Sequence, residues 1–221
     1  MTETKNKHAA FKAWLKAALS DGLPGIPSHM KMVPAIRRKE MESQCGGENA
    51  RKAAVLICFY PDGDDIHFAL IRRNEYDGVH SGQISFPGGR FENSDRNMVH
   101  TALREAEEET NILEGDVEVL GEITPIYIPP SNYIVSPFVG WTPQKPEFIP
   151  EPAEVSEILS ISIKELLNPA NRQMKNIQHS DHNIIEVPCF YIQDHIIWGA
   201  TAMMLSEMSD IWKMAKGKGK M

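Results

Sequence analysis

The sequence contains few cysteines and no long apolar run, and each absence argues against a class of protein. Its three cysteines, Cys45, Cys58 and Cys189, lie far apart and form no Cys-x-x-Cys pair. This spacing argues against a zinc site or a disulfide framework and favours a reducing compartment. No apolar stretch approaches the roughly 20 residues of a membrane-spanning helix, and the N-terminus does not read as a secretory signal. We therefore expect a cytoplasmic protein without a membrane partner.

An excess of positive charge is also absent. The chain has 23 lysines and arginines against 30 aspartates and glutamates, a formal net charge of −7. This balance argues against a broad nucleic-acid interface, whereas a small anionic substrate remains compatible with it. The 221 residues, of which 42% are hydrophobic, are enough for one domain with an extension. We expect an N-terminal helix and extended connector over 1–50, the domain over 51–214, and a disordered basic tail over 215–221.

Hydrophobic periodicity and turn residues indicate an α+β domain. Apolar residues recur at helical spacing over 8–20, and the stretch 22–49 is rich in Gly, Pro and Ser, which favours an extended connector. Two apolar runs at 53–60 and 66–72 flank a turn at 61–65 and predict a β-hairpin. We predict further strands at 117–123, 134–141, 154–163, 184–192 and 195–198, helices at 101–110, 163–167 and 198–213, and loops at 125–133, 143–152 and 171–183.

The predicted helix at 101–110 carries three carboxylates on one face. At about 100° per residue, Glu105 and Glu109 lie roughly 40° apart, and Glu108 lies about 60° to the other side of Glu105. Like charges at this spacing destabilise a helix by roughly 0.2–0.5 kcal/mol per pair, so the face favours a bound countercharge. Oxygen ligands on a rigid element suit Mg²⁺ or Mn²⁺, and Arg104 can brace one carboxylate with a forked hydrogen bond. The helix therefore predicts a metal site rather than a solvated acidic surface.

The residues around this helix resemble the Nudix box, which reads Gly, five residues, Glu, seven residues, then Arg-Glu-apolar-any-Glu-Glu-any-Gly-apolar. Here Gly89 is followed after five residues by Asp95, and the run 104–112 reads Arg-Glu-Ala-Glu-Glu-Glu-Thr-Asn-Ile. Asp95 replaces the first Glu, eight residues separate it from Arg104, and Asn111 replaces the last Gly. The last change is mild, because Asn also adopts the left-handed conformation that ends helices. The Arg-Glu-x-x-Glu-Glu core, which is the specific part, is intact.

A second run resembles the signature of the coenzyme A pyrophosphatases within the Nudix superfamily. It comprises Arg73, His80, Gly-Gln-Ile at 82–84 and Phe-Pro-Gly-Gly at 86–89, and the extra residue before Arg104 is common in that subgroup. The match is incomplete, because the subgroup usually has Thr at Ile71, Ser at Asn74 and Leu-Arg at 77–78. The resemblance implies the Nudix fold, an α/β/α sandwich with a mixed β-sheet. It also implies hydrolysis of coenzyme A or acyl-coenzyme A to 3′,5′-ADP and (acyl-)4′-phosphopantetheine.

The resemblance implies roles for individual residues as well. The metal ligands would be Glu105, Glu108 and Glu109, and catalysis would involve Glu105, Glu108 and Arg104. Substrate contacts are expected from Arg73, His80, Gly88, Gly89, Arg90 and Tyr133, and water-mediated metal contacts from Glu92 and Asp95. The base that takes the proton from water stays open between Glu108 and a loop glutamate, Glu154 or Glu157. The expected partner is a small nucleotide substrate, and a homodimer is left open.

Two alternatives to this function remain. The first is a Nudix pyrophosphatase of another substrate such as ADP-ribose or NADH, which the substitutions at Ile71, Asn74 and 77–78 favour. The second is a non-catalytic Nudix-like domain that senses a nucleotide. The unbroken carboxylate set argues against the second, because a sensor has no need of three metal ligands on one face.

Overall fold

The computed structural model describes residues 2–38, 49–74, 82–178 and 183–217. Its strands are β1 (Arg51–Asp62), β2 (Asp65–Arg73), β3 (Ile84–Ser85), β4 (Gly88–Arg90), β5 (Glu118–Glu122), β6 (Ile126–Ile128), β7 (Tyr133–Trp141), β8 (Val155–Ser162), β9 (Arg172–Gln178), β10 (Ile184–Ile192) and β11 (His195–Ile197). Its helices are α1 (Thr2–Ser20), α2 (Ile26–His29), α3 (Met98–Thr110), α4 (Ile163–Leu167) and α5 (Gly199–Gly217). Among the helices of these ranges, none has the length and apolar character to cross a membrane.

β1 and β7 lie side by side in parallel at the centre of a mixed sheet. The described strands follow the order β3-β2-β1-β7-β5, and β4 pairs with β1, β6 with β7 and β8 with β2. Apart from β1 and β7, these pairs are antiparallel. A second, antiparallel sheet has the order β11-β10-β9. The predicted hairpin is confirmed as β1 and β2, in which Phe59 lies opposite Phe68.

Alternate residues of β1 face two different cores, because successive side chains of a strand point to opposite faces. Leu56 packs with Ala106 of α3 in one buried cluster. Ile57 belongs to the other cluster, which includes Leu15 of α1 and Met204 of α5. Both faces of the strand are covered, which explains its continuous apolar run. With α3 on one face of the sheet and α1 and α5 on the other, the predicted α+β class and α/β/α sandwich are confirmed.

The described part of the N-terminal connector, residues 22–38, is folded against α5, whereas its composition predicted an extended chain, and residues 39–48 lie outside the described ranges. It contains α2 and 3₁₀ turns at Met30–Met32 and Ala35–Arg37. His29 and Glu207 are both buried, with His29 Nε2 2.7 Å from Glu207 Oε2. Glu207 Oε1 accepts hydrogen bonds from the Gly25 amide N–H at 3.0 Å and the Thr124 hydroxyl at 2.7 Å. The connector turns back because a buried carboxylate of the last helix satisfies its polar groups.

Three further segments differ from the sequence-based expectation. Residues 172–178, predicted as part of a loop, form β9, in which Ile177 pairs with Ile185 of β10. Exposed and partly buried residues alternate along its second half, so its polar composition reflects an edge strand with one open face. The predicted loop at 125–133 contains β6, and α5 extends past its expected end at 213 to Gly217. Residues 218–221 of the predicted tail lie outside the described residues, and the domain boundaries at 51 and 214 stay predictions.

Candidate active site

The glycine pair lies on β4, directly beside a carboxylate of α3. β4 pairs with β1, with Gly88 opposite Val55 and Gly89 opposite Ala54. A Cβ on Gly88 would lie 2.6 Å from the Cα of Val55, and one on Gly89 would lie 2.5 Å from Glu105 Oε2. Both distances are too short for non-bonded atoms. The two glycines therefore allow β1, the loop and α3 to come into direct contact.

Capping residues define both ends of α3. The Asn97 side chain caps the N-terminus by accepting a hydrogen bond from the His100 amide N–H at 2.9 Å. Asn111 ends the helix with a φ of 62°, in the left-handed region, which explains why Asn replaces the Gly of the box. Ala102 and Ala106 are fully buried against the sheet. This packing fixes the rotation of the helix and so decides which glutamates reach β4.

Glu109 is the carboxylate of α3 that is buried, with 2% of its surface exposed. Its Oε2 accepts a hydrogen bond from the Gly88 amide N–H at 2.7 Å, and Arg73 Nη2 lies 3.1 Å from its Oε1. Burial raises the pKa of Glu109 to about 7, against the opposing effects of Arg73 and the Gly88 amide. Although Arg73 is close, Oε1 has no partner in hydrogen-bond geometry among the described residues. This oxygen therefore has capacity for a further positive ligand.

Arg104 and Asp95 form a two-pronged ion pair that accounts for the altered spacing of the box. Arg104 Nε lies 2.8 Å from Asp95 Oδ1, and Nη2 lies 3.1 Å from Oδ2. Asp95 also accepts hydrogen bonds from the Glu92 amide N–H and the Thr101 hydroxyl, both at 2.9 Å. Arg104 and these donors hold the pKa of Asp95 well below its usual range, although burial opposes them. Although Asp95 is shorter than the Glu of the box and one more residue separates it from Arg104, its carboxylate still contacts Arg104.

Arg104 also pairs with two carboxylates of its own helix. Its Nη2 lies 3.0 Å from Glu105 Oε1, and its Nη1 lies 3.0 Å from Glu108 Oε2. Burial raises the pKa of Glu105, and the charges of Glu108 and Glu154 add to the effect while Arg104 opposes it. The sequence predicted that Arg104 braces one carboxylate. In the structure it holds three, because Asp95 joins the two glutamates.

Of the predicted substrate-binding residues, Arg73 and Gly88 are brought together with Glu109, and Gly89 lies against Glu105. Arg73 Nη2 donates a hydrogen bond to the Gly88 carbonyl oxygen at 2.8 Å. His80 lies outside the described residues. The predicted roles of these residues in substrate binding stay predictions, while their contacts tie Arg73 to the acidic helix.

The side chains of Arg90 and Tyr133, also predicted to bind substrate, contact residues outside α3, although Arg104 Nη2 donates to the Arg90 carbonyl oxygen at 3.4 Å. Their roles in substrate binding stay predictions. Arg90 is exposed, and its Nε is 3.3 Å from Glu92 Oε1. Tyr133 starts β7 opposite Arg51 and packs on the core that contains α1 and α5, on the face of the sheet away from α3. The Arg51 guanidinium lies 4.2 Å from the centre of the Tyr133 ring, a contact between distant residues that no local sequence pattern predicts.

The glutamates of α3 suit a divalent cation chemically, although they do not converge in this conformation. Among the described residues, no group of three or more His, Cys, Asp or Glu side chains is arranged to hold a metal ion. Arg104 draws Glu105 and Glu108 towards itself, whereas Glu109 turns to Gly88. The donor set fits a hard cation, because such ions prefer carboxylate oxygens and Glu109 Oε1 is buried with no hydrogen-bond partner in the part of the chain that the structure describes. The metal-ligand assignments stay predictions.

Of the two loop glutamates considered as bases, Glu154 is the one near the acidic helix. Its backbone carbonyl accepts a hydrogen bond from the Asn74 amide N–H at 2.9 Å, beside the end of β2. Its negative charge is among the causes that raise the pKa of Glu109, after burial. Glu157 instead has its Oε2 3.7 Å from His195 Nε2. The two loop glutamates thus have different neighbours, and the choice of the base stays a prediction.

Two solved structures with a similar fold carry the name Nudix in their descriptions. A MutT/nudix family protein from Enterococcus faecalis matches with a TM-score of 0.49 and 14% identity, over 80% of this chain and 68% of that one. The NUDIX domain of Shewanella oneidensis NrtR, complexed with ADP ribose, matches with a TM-score of 0.45 and 14% identity, over 58% of this chain and 84% of that one.

Sequence comparison gives closer similarities. The protein called uncharacterized Nudix hydrolase NudL from Photorhabdus laumondii is 33% identical over 162 residues, 73% of this chain and 85% of its own. The human mitochondrial coenzyme A diphosphatase NUDT8 is 32% identical over 186 residues, 78% of each chain. The model of the NUDIX domain family matches residues 50–180, which contain the glycine pair and α3. On this match and the intact acidic helix, the chain belongs to the NUDIX domain family and is a Nudix hydrolase.

Proposed function

We propose that the chain hydrolyses the diphosphate bond of coenzyme A or acyl-coenzyme A, releasing 3′,5′-ADP and (acyl-)4′-phosphopantetheine. The observation that carries the proposal is the hydrogen bond from the Gly88 amide to the buried Glu109, which holds the glycine loop against the acidic helix. Two points favour this substrate. The run 82–89 resembles the subgroup signature, and a relative with 32% identity is named a coenzyme A diphosphatase.

Under this proposal Glu105, Glu108 and Glu109 hold Mg²⁺ or Mn²⁺. When bound, such an ion neutralises phosphate oxygens and lowers the pKa of a coordinated water. The chain contributes the alignment of the ligands. The Gly88 amide fixes Oε2 of Glu109, and Arg104, itself anchored on Asp95, restrains Glu105 and Glu108.

We assign the base that accepts the proton of the attacking water to Glu154. It lies at the start of β8, where Asn74 fixes its backbone, and its charge acts on both Glu105 and Glu109. Its own backbone N–H donates to the Glu151 carbonyl oxygen at 3.0 Å, while the Glu151 N–H bonds to the Glu109 carbonyl oxygen at 3.2 Å. The loop that carries Glu154 is therefore attached to the catalytic helix. Glu108, the other candidate, is already paired with Arg104.

Arg90 follows Gly89 on β4, lies opposite Ala53 of β1 and is exposed. Its guanidinium is the part of the site that would meet an anionic group of the substrate.

A substrate panel tests the proposal. The purified protein is incubated with Mg²⁺ or Mn²⁺ and coenzyme A, acetyl-coenzyme A, ADP-ribose, NADH or a dinucleoside polyphosphate, and products are separated by chromatography. We expect 3′,5′-ADP from the coenzyme A compounds and its loss in Glu108→Gln. Turnover of ADP-ribose or NADH alone would refute the coenzyme A assignment. Full activity of Glu108→Gln would refute the metal assignment.

The second candidate function is a pyrophosphatase of another nucleoside diphosphate derivative. The residues that favour it are Ile71 and Asn74, which differ from the subgroup signature and lie on and just after β2 beside the site. The cytoplasmic location and the homodimer are separate proposals. Cell fractionation and light scattering, respectively, test them.

A further inference from the structure

Arg73 lies outside the Nudix box, yet the end of β2 directs its side chain to the centre of the site. The pairing of β2 with β8 shifts register between Arg72 and Arg73, so that Arg72 lies opposite Glu157 and Arg73 lies opposite Val155. Such irregularities re-aim side chains and are common beside active sites. The Arg73 amide N–H donates to the Gln83 carbonyl oxygen at 3.0 Å, which fixes the backbone at this point.

The Arg73 side chain closes a ring of three contacts with the glycine loop and the acidic helix. Its Nη2 donates to the Gly88 carbonyl oxygen at 2.8 Å and lies 3.1 Å from Glu109 Oε1. The Gly88 amide N–H completes the ring with its hydrogen bond to Glu109 Oε2 at 2.7 Å. Arg73 is 24% exposed and Glu109 is 2% exposed, so most of this ring is removed from water.

We infer that Arg73 is a positioning residue, which sets the orientation of Glu109 and of the Gly88 peptide, and not a substrate-binding residue. The inference rests on the proposed metal-dependent hydrolysis. A buried carboxylate without a cation nearby is unfavourable, and a ligand carboxylate with no partner is free to rotate. Arg73 Nη2 meets both needs, because it contacts the Glu109 carboxylate and also the carbonyl oxygen of Gly88, whose amide N–H binds the same carboxylate.

The test compares Arg73→Met and Arg73→Lys with Arg96→Met as a matched control. Arg96 is 70% exposed and pairs with Glu114 at 2.8 Å, outside the site. Mn²⁺ binding is measured without substrate from the electron paramagnetic resonance signal of free Mn²⁺, and kcat and KM are measured with the substrate from the panel. We expect Arg73→Met to weaken Mn²⁺ binding and to lower kcat, each by about 10–100-fold, with little change in KM. Arg73→Lys should recover part of both, and Arg96→Met should match the parent.

Two results would overturn the inference. A rise in KM with unchanged Mn²⁺ affinity and kcat would identify Arg73 as a substrate contact. A lower unfolding midpoint with unchanged Mn²⁺ affinity, kcat and KM would identify it as a purely structural residue. If Arg73→Met does not fold, Arg73→Lys decides, because it keeps the charge and removes the planar fork. If the parent protein cleaves no member of the panel, the proposed function fails, and the Mn²⁺ titration still decides the role of Arg73.

Discussion

The two glycines of β4 are adjacent in sequence, yet replacing each by alanine should affect a different property, stability for one and activity for the other. In Gly88→Ala the new Cβ meets the backbone of β1, 2.6 Å from the Cα of Val55. In Gly89→Ala it meets the end of a side chain, 2.5 Å from Glu105 Oε2. A backbone in the middle of a sheet cannot move aside without breaking ladder hydrogen bonds, whereas a glutamate can change rotamer. The first variant should therefore lose stability, and the second should lose activity.

The size of each effect follows from what has to move. Overpacking a dense interior costs about 1–3 kcal/mol, so Gly88→Ala should lower the thermal midpoint by roughly 2–12 °C for a domain of this size. The free energy of unfolding of Gly89→Ala should lie within about 1 kcal/mol of that of the parent, because alanine also reduces the conformational freedom of the unfolded chain. Its activity should fall by at least about tenfold, since Glu105 is displaced from the position that Arg104 holds.

Calorimetry and the hydrolysis assay, carried out on both variants under the same conditions, check this pair. The variants differ by one position and carry the same added methyl group, so each serves as the control for the other. Equal loss of stability in the two would refute the reasoning, because it would mean that Glu105 cannot move. Full activity in Gly89→Ala would also refute it, because the position of Glu105 would then be irrelevant.

Three further predictions concern carboxylates. Asp95→Asn should lower the free energy of unfolding by about 1–3 kcal/mol at neutral pH. The pKa of Asp95 is held below its ordinary 3.8 in the folded protein, so this contribution to stability is complete above about pH 4 and declines in acid. Urea unfolding of both proteins between pH 2 and 7 should show that the difference between their free energies of unfolding narrows as the pH falls. A constant difference contradicts the prediction. Glu154→Gln should reduce kcat by about 10²–10⁴-fold if it is the base, and Glu157→Gln should not; equal kcat in both variants rejects the assignment. Glu207→Gln should lower the free energy of unfolding by about 1–3 kcal/mol, because both carboxylate oxygens of Glu207 make contacts and the NH2 group of glutamine cannot accept a hydrogen bond. An unchanged urea midpoint would show that the connector is held by other contacts.

The central sheet and the acidic helix could be predicted because their signals are local. The apolar runs of β1 and β2 surround a strong turn, and the glutamates of α3 repeat at helical spacing. The cap at Asn111 also follows from sequence, since the left-handed conformation at a helix end selects Gly or Asn. In each case the residues that carry the signal are neighbours in the chain.

The remaining features depend on contacts between distant residues. The composition of the connector favours an extended chain, and nothing near it indicates that Glu207 will bind it. The polar edge strand β9 resembles a loop until its partner β10 is known. In the site, the resemblance placed Arg73 and Tyr133 together as substrate contacts. The structure puts Arg73 against Glu109 and Tyr133 on the opposite face of the sheet.

The attachment of the connector to the last helix has a consequence for where the folding unit ends. Glu207 ties the two ends of the chain together, and both α1 and α5 contribute to the same buried cluster. The family match covers residues 50–180 and leaves out both of these helices. A fragment trimmed to that range would expose to water the apolar surface that α1 and α5 cover, so expression trials should retain both flanks together.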